Sequence, residues 1–172
     1  MALVLISTPG AVDANSYATA AEGTTYHEGH LYASAWTGAS TATKEAALVM
    51  ATRLLDALVE WSGLATSETQ ALAWPRVGML TRNGYVIESS EIPADLKSAT
   101  AEYARALIVD DRSADSDIES QGITSLTAGP VSLAFKDTVQ AKPIPDSVFY
   151  LLPPSWGYIR SRTPSERPLV RG

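Results

Sequence analysis

The stretch Gln70-Ala71-Leu72-Ala73-Trp74-Pro75-Arg76-Val77-Gly78 decides how the rest of the chain is arranged. Pro75 excludes the α region for Trp74, so the backbone is extended where the chain leaves one helical region for the next. Trp74 is large and apolar, with one N–H that needs an acceptor once buried. Arg82-Asn83-Gly84-Tyr85 follows, and Asn83-Gly84 is the pair that supplies two positive φ values to a two-residue hairpin turn. Met79-Leu80-Thr81 and Tyr85-Val86-Ile87 are its arms. Pro93 then falls in the first turn of a helix, where its missing N–H costs nothing. Trp74, Pro75, Arg76 and Pro93 are read as structural anchors without chemistry of their own.

Working outward, Thr19 and Glu22 have the spacing of a capping box and start a first helix, with Tyr26 and Leu31 on its apolar face. Trp36 to Ser40 reads as a loop. Ser40 or Thr41 caps a second helix over roughly 42–60, where Ala47, Met50, Ala51, Leu54, Leu55 and Leu58 recur at helical spacing. Gly63 stops it. The third helix runs over about 93–110, with Leu96, Ala99, Tyr103, Ala106 and Leu107 inward and Glu102 and Arg105 on or near the solvated face.

Two further segments, Ile123–Thr127 and Val131–Phe135, alternate apolar with polar residues and predict a second hairpin joined through Ala128-Gly129-Pro130. Such a hairpin can pair with a neighbouring subunit or within its own chain. Ala2 to Ile6 reads as a short strand or an arm that pairs with a neighbour. Pro145 to Leu152 predicts a short helix ended by Pro153.

The fold class is therefore mainly α (α+β). A small bundle of three main helices carries a short C-terminal helix, two short β-hairpins and an extended C-terminal tail. Residues 1–152 form the helical domain with hairpins, and residues 153–172 the Pro/Arg-rich tail.

Charge is unevenly spread. The chain carries −6 overall. Four arginines against Glu166 give the tail beyond residue 152 a charge of +3, leaving −9 on the body. An acidic body is a poor platform for phosphate, which draws on clustered Lys and Arg. In the tail, Trp156, Tyr158, Ile159 and Leu169 supply apolar anchors. Arg160, Arg162, Arg167 and Arg171 supply guanidinium groups, the mixture of an interface segment.

Catalytic signatures are missing. The sequence has no nucleophile elbow, P-loop or dinucleotide fingerprint, and no cysteine. His27 and His30 lack the i, i+4 spacing of a helical zinc pair and read as solvated. The acidic run from Asp110 to Glu119 fails as an EF-hand, because Ser116 and Gly122 stand where Gly and Glu are required. No enzyme, cofactor or metal site is expected. The apolar N-terminal run is too short for a membrane span.

The run A-L-A-W-P-R-x-G over residues 71–78, the hairpin, and E-I-P-x-D-L-K-x-A-x-x-E over residues 91–102 resemble a family of tailed-bacteriophage proteins. That family is often labelled DnaT-like single-stranded-DNA-binding, and the resemblance implies a head–tail adaptor, or connector, in the virion. It extends from Ala14-Asn15-Ser16-Tyr17 through Trp36-Thr37-Gly38-Ala39 and Lys44–Arg53 to about Pro145-Asp146.

The resemblance implies a ring, usually of about twelve subunits, beneath the portal. The ring would assemble in the host cytoplasm, occupy the neck of the virion, and pass DNA through its lumen without specific binding. The implied partners are the portal protein, further copies of the chain and a downstream tail or neck protein. Trp156, Tyr158, Ile159, Arg160, Arg162, Arg167, Leu169 and Arg171 would dock on the portal. Arg82, Asn83, Gly84 and Tyr85 would meet the downstream component. The alternative, single-stranded DNA binding, needs a basic groove with aromatic platforms, and only the tail offers those residue types.

Overall fold

The computed structural model describes residues 3–112, 125–128, 131–134 and 142–160. Five helices and three two-stranded antiparallel sheets make up the described fold, which is helix-rich with small β elements.

Helix α1, Ala20–Glu28, begins at Thr19, whose hydroxyl accepts from Glu22 N–H while the Glu22 carboxylate accepts from Thr19 N–H. Both ends of the capping box are therefore closed, as its spacing requires. The helix stops at Gly29, so Leu31 lies beyond it and is 92 % exposed rather than closing its apolar face. A one-turn helix, α2 (Ser34–Thr37), replaces the loop expected around Trp36 and carries that indole into the core. Helix α3, Thr41–Leu58, is capped by the Ser40 hydroxyl on Thr43 N–H. It ends five residues before Gly63, because Val59 already takes extended backbone and opens strand β1, Val59–Trp61. Gly63, at φ +71°, instead turns the chain into β2, Leu64–Ala65, which pairs with β3, Arg76–Val77.

The hairpin after Trp74 differs from expectation in its turn. Thr81 N–H donates to Tyr85 C=O and Gly84 N–H to Thr81 C=O, which makes a three-residue loop of Arg82, Asn83 and Gly84. In this loop only Gly84 is left-handed, at φ +85°, and among the described residues only glycines have positive φ. A turn with a single left-handed residue before the returning strand suits three-residue loops rather than the two-residue type.

Helix α4, Ala94–Val109, starts one residue later than expected, with Pro93 as its extended N-cap. It is the central element: α3, α1, α2 and the short helix α5 (Asp146–Phe149) all pack against it. Strands β4 (Ser125–Ala128) and β5 (Val131–Ala134) form the second hairpin with Ala128 opposite Val131. After α5 the chain makes a 3₁₀ turn at Pro154–Trp156. It then adds β6, Gly157–Ile159, antiparallel to β1 with Tyr158 opposite Glu60.

The core joins Leu48, Ala51 and Leu55 of α3 to Leu96, Ala99 and Tyr103 of α4, with Tyr17, Trp36, Trp74, Val148 and Trp156 enclosed among them. Trp156 thus belongs to the core, and Gly157–Ile159 are paired with β1, so this part of the expected tail is folded onto the domain although Tyr158, Ile159 and Arg160 remain exposed. The remaining part of the expected tail, residues 161–172, lies outside the described residues. Residues 3–8 form no strand within the chain.

Candidate functional site

The Trp74-Pro75-Arg76 element sits where four parts of the chain converge. The Trp74–Pro75 peptide bond is cis. The Trp74 ring lies 4.8 Å from that of Trp156 and meets the Trp61 ring edge-on at 5.8 Å. Trp156 Nε1 donates to Leu80 C=O at 2.7 Å, whereas Trp74 Nε1 has no acceptor among the described residues. Among the described residues Arg76 makes no ion pair. Its guanidinium donates to the carbonyls of Ser62 (2.6 Å), Gly63 (2.8 Å), Ala73 (2.9 Å) and Trp61 (3.4 Å), tying β3 to the turn after β1.

Beneath it lies Asp56 of α3, which sequence reasoning did not single out. Its Oδ1 accepts from the Tyr17 hydroxyl and from Trp61 Nε1, and its Oδ2 accepts from Ala73 N–H at 3.0 Å. The Tyr17 oxygen accepts in turn from Trp74 N–H. Burial raises the pKa of Asp56 against the pull of these donors, and burial followed by the Asp56 charge raises that of Tyr17 well above its ordinary value. Asp56 thus accepts from three donors on three separate segments and ties those segments together.

A second polar cluster joins α1 to α4. His27 is 2 % exposed, not solvated, because the Gly23–His27 face of α1 lies against α4 and Trp36. Its Nε2 is 3.1 Å from Ala101 C=O, and a carbonyl only accepts, so Nε2 carries the proton. Nδ1 has no partner. Burial lowers the His27 pKa. Glu102, expected near the solvated face, is 3 % exposed. It pairs with Arg105 at 2.6 Å and stands 3.7 Å from His30. Among the described residues no group of three or more His, Asp or Glu side chains could hold a metal ion.

The residues expected to dock on partners divide. Trp156 is 1 % exposed and built into the core, so it is not free to anchor a second protein. Tyr158 and Ile159 on β6 are exposed, and Arg160 is paired with Glu60 at 2.7 Å. Arg162, Arg167, Leu169 and Arg171 lie outside the described residues. At the other hairpin, Tyr85 and Val86 are about three-quarters exposed. Arg82 Nη2 donates to the carbonyls of Tyr150 and Leu151, fixing the loop against the turn after α5, where Tyr150 is also exposed. Asn83 and Gly84 form the exposed tip.

The described residues hold nine Lys and Arg against fourteen Asp and Glu, a net charge of −5. The positive side chains are nearly all engaged internally. Lys97 pairs with Glu22, Arg105 with Glu102, Lys142 with Asp146 and Arg160 with Glu60. Arg76, Arg82 and Arg112 donate to backbone carbonyls, and Lys44 lies over the Trp36 ring. Arg53 alone among the described cations has no such partner. No described helix is long and apolar enough to cross a membrane.

Against known proteins, one family matches along residues 1–172; its description reads "Putative DnaT-like ssDNA binding protein". The chain belongs to that family. No curated protein matches, and no solved structure matches.

Proposed function

We propose that this member of the DnaT-like family is a structural subunit of a phage neck, a head–tail adaptor that forms a ring beneath the portal. The observation that carries the reading is the engagement of the described cations by carboxylates, carbonyls and an indole of the same chain. A surface that is acidic, with its positive charge already partnered, offers DNA no adhesive track. That suits a channel through which DNA must slide. The exposed apolar residues at the hairpin, Tyr85 and Val86, and at β6, Tyr158 and Ile159, suit contacts with neighbouring proteins. In this reading about twelve copies assemble. The loop Arg82-Asn83-Gly84-Tyr85 faces the downstream component, and the chain beyond Ile159 reaches toward the portal. The protein has no catalytic role.

The family description favours the second reading, single-stranded DNA binding. In that reading Tyr32, Tyr85, Tyr150 and Tyr158, all exposed, are the available stacking platforms, with residues 161–172 supplying the charge.

One experiment separates the two. Native mass is measured for the chain mixed with the portal protein of the same phage. In parallel, binding to a fluorescent single-stranded oligonucleotide is titrated at low and high salt. A discrete complex with the portal and no submicromolar oligonucleotide binding support the adaptor. Tight, salt-sensitive oligonucleotide binding without a portal complex replaces it with the second reading.

A further inference from the structure

Residues 4–6 run beside Asn15, whose polar groups take the place of a partner strand. Ile6 N–H donates to Asn15 Oδ1 at 2.7 Å, Asn15 Nδ2 donates to Val4 C=O at 2.8 Å, and Asn15 N–H donates to Ile6 C=O at 2.8 Å. In extended chain, alternate residues direct N–H and C=O to opposite edges. The edge carried by Val4 and Ile6 is therefore closed. The backbone groups of Leu5 and Ser7, which serve the other edge, make no hydrogen bond in the described structure. Val4 is 68 % exposed and Leu3 46 %. An open backbone edge flanked by exposed apolar side chains is a template for strand addition.

Among the described residues the β4–β5 hairpin lacks a third strand. Both of its outer edges are unpaired among the described residues. Among the named elements its substantial packing is of one strand on the other. A two-stranded hairpin is marginal in water until a third strand or an apposed helix completes it. The alternation in Ser125-Leu126-Thr127 and Val131-Ser132-Leu133 suits a sheet with one covered face.

We propose that residues 3–7 of one copy add as a third strand to an outer edge of the β4–β5 hairpin of a second copy. Five extended residues span about 17 Å, enough to cover a four-residue strand of about 13 Å. The occupant is a second copy because the chain carries both an arm with an open edge and a two-stranded hairpin, and among the described residues the two are not joined to each other. Each copy offers one arm and one hairpin, so the contact is heterologous and runs head to tail, closing into a ring where the rotation permits. The inference rests on the adaptor reading only for that ring; the shared sheet itself requires self-association alone.

The chain has no cysteine, so introduced thiols report cleanly. Val4→Cys protein is mixed with Thr127→Cys and, separately, with Ser132→Cys protein, alone and with the portal, and oxidised mildly. One of the two mixtures should give a disulfide-linked dimer in at least tenfold the yield of a Val4→Cys mixture with Thr25→Cys, which lies on the exposed face of α1. In unmodified protein, amide exchange at Leu5 and Ser7 should slow at least tenfold on association. Cross-linking no better than the control, together with unprotected Leu5 and Ser7 amides, would overturn the proposal, as would a chain that stays monomeric alone and with the portal. Failure of the cross-link with an intact portal complex leaves the adaptor reading standing. Cross-linking without portal binding sustains the shared sheet and removes the adaptor.

Discussion

The carboxylate of Asp56 accepts the hydroxyl of Tyr17, thirty-nine positions earlier in the chain, and through it holds the backbone of Trp74. One acid on α3 thereby fixes the N-terminal segment, the end of β1 and the irregular segment entering Pro75 relative to one another.

Removing that acceptor strands three donors: the Tyr17 hydroxyl, Trp61 Nε1–H and Ala73 N–H. Asp56→Ala is expected to lower unfolding free energy by about 3 kcal/mol, since each buried unsatisfied group costs about 1–3 kcal/mol. Asp56→Asn keeps one acceptor oxygen and should lose less. Urea denaturation of both variants checks the order, and an alanine variant as stable as the parent would refute the role.

The close approach of β6 to β1 depends on Gly157. A Cβ there would meet the Glu60 carbonyl oxygen in hard contact. Gly157→Ala should therefore part the two strands and cost about 2 kcal/mol, within the range for overpacking. Amide exchange at Ser62 and Arg160, which donate to Trp156 C=O and Leu58 C=O, should rise in step.

His27 gives the fold an acid-sensitive joint. Its pKa in the folded chain lies below the ordinary 6.5. The unfolded chain therefore takes up the proton first, and stability is lost as pH falls below 6.5 toward the folded value. Glu102 opposes this by favouring the protonated ring, while Arg105 and His30 reinforce it. Thermal melts from pH 7.5 to 5.0 should show a falling melting temperature, and the slope should shrink in His27→Gln. A slope unchanged by that substitution would assign the effect to other groups.

The two stacked indoles should differ in their response to the same change. Trp156→Phe leaves the Leu80 carbonyl without that donor, whereas Trp74→Phe removes an N–H that has no acceptor among the described residues. Both open a similar volume, so Trp156→Phe should be the more damaging by about 1 kcal/mol. Guanidinium denaturation of the pair tests the difference, and equal losses would contradict it.

The parts of the fold legible in the sequence are those set by neighbours in the chain. Thr19 and Glu22 start α1, Ser40 starts α3, and the Leu96–Ala99–Tyr103 stripe faces inward, because each depends on residues within a few positions. The turn at Asn83 differs from the two-residue expectation because Asn-Gly serves two loop lengths, and the flanking register chooses between them. Trp156 looked like a free anchor among prolines and arginines. Its burial is decided by Trp74 and by the carbonyl of Leu80, which local sequence does not reveal. His27 and Glu102 looked solvated for a similar reason: the polar positions of α1 and α4 happen to face each other. Asp56 gave one available signal, an acid on an otherwise apolar helix turn between Leu55 and Leu58.

The three indoles of Trp61, Trp74 and Trp156 lie ring against ring at 5.8 and 4.8 Å, while the fourth tryptophan, Trp36, neighbours His27 and Lys44 instead. Transition dipoles at such spacing do not absorb independently. The protein therefore contains a coupled chromophore whose near-ultraviolet circular dichroism depends on the seating of Trp156. Because that residue comes from the far end of the described chain, the optical signal reads directly whether the C-terminal segment is in place.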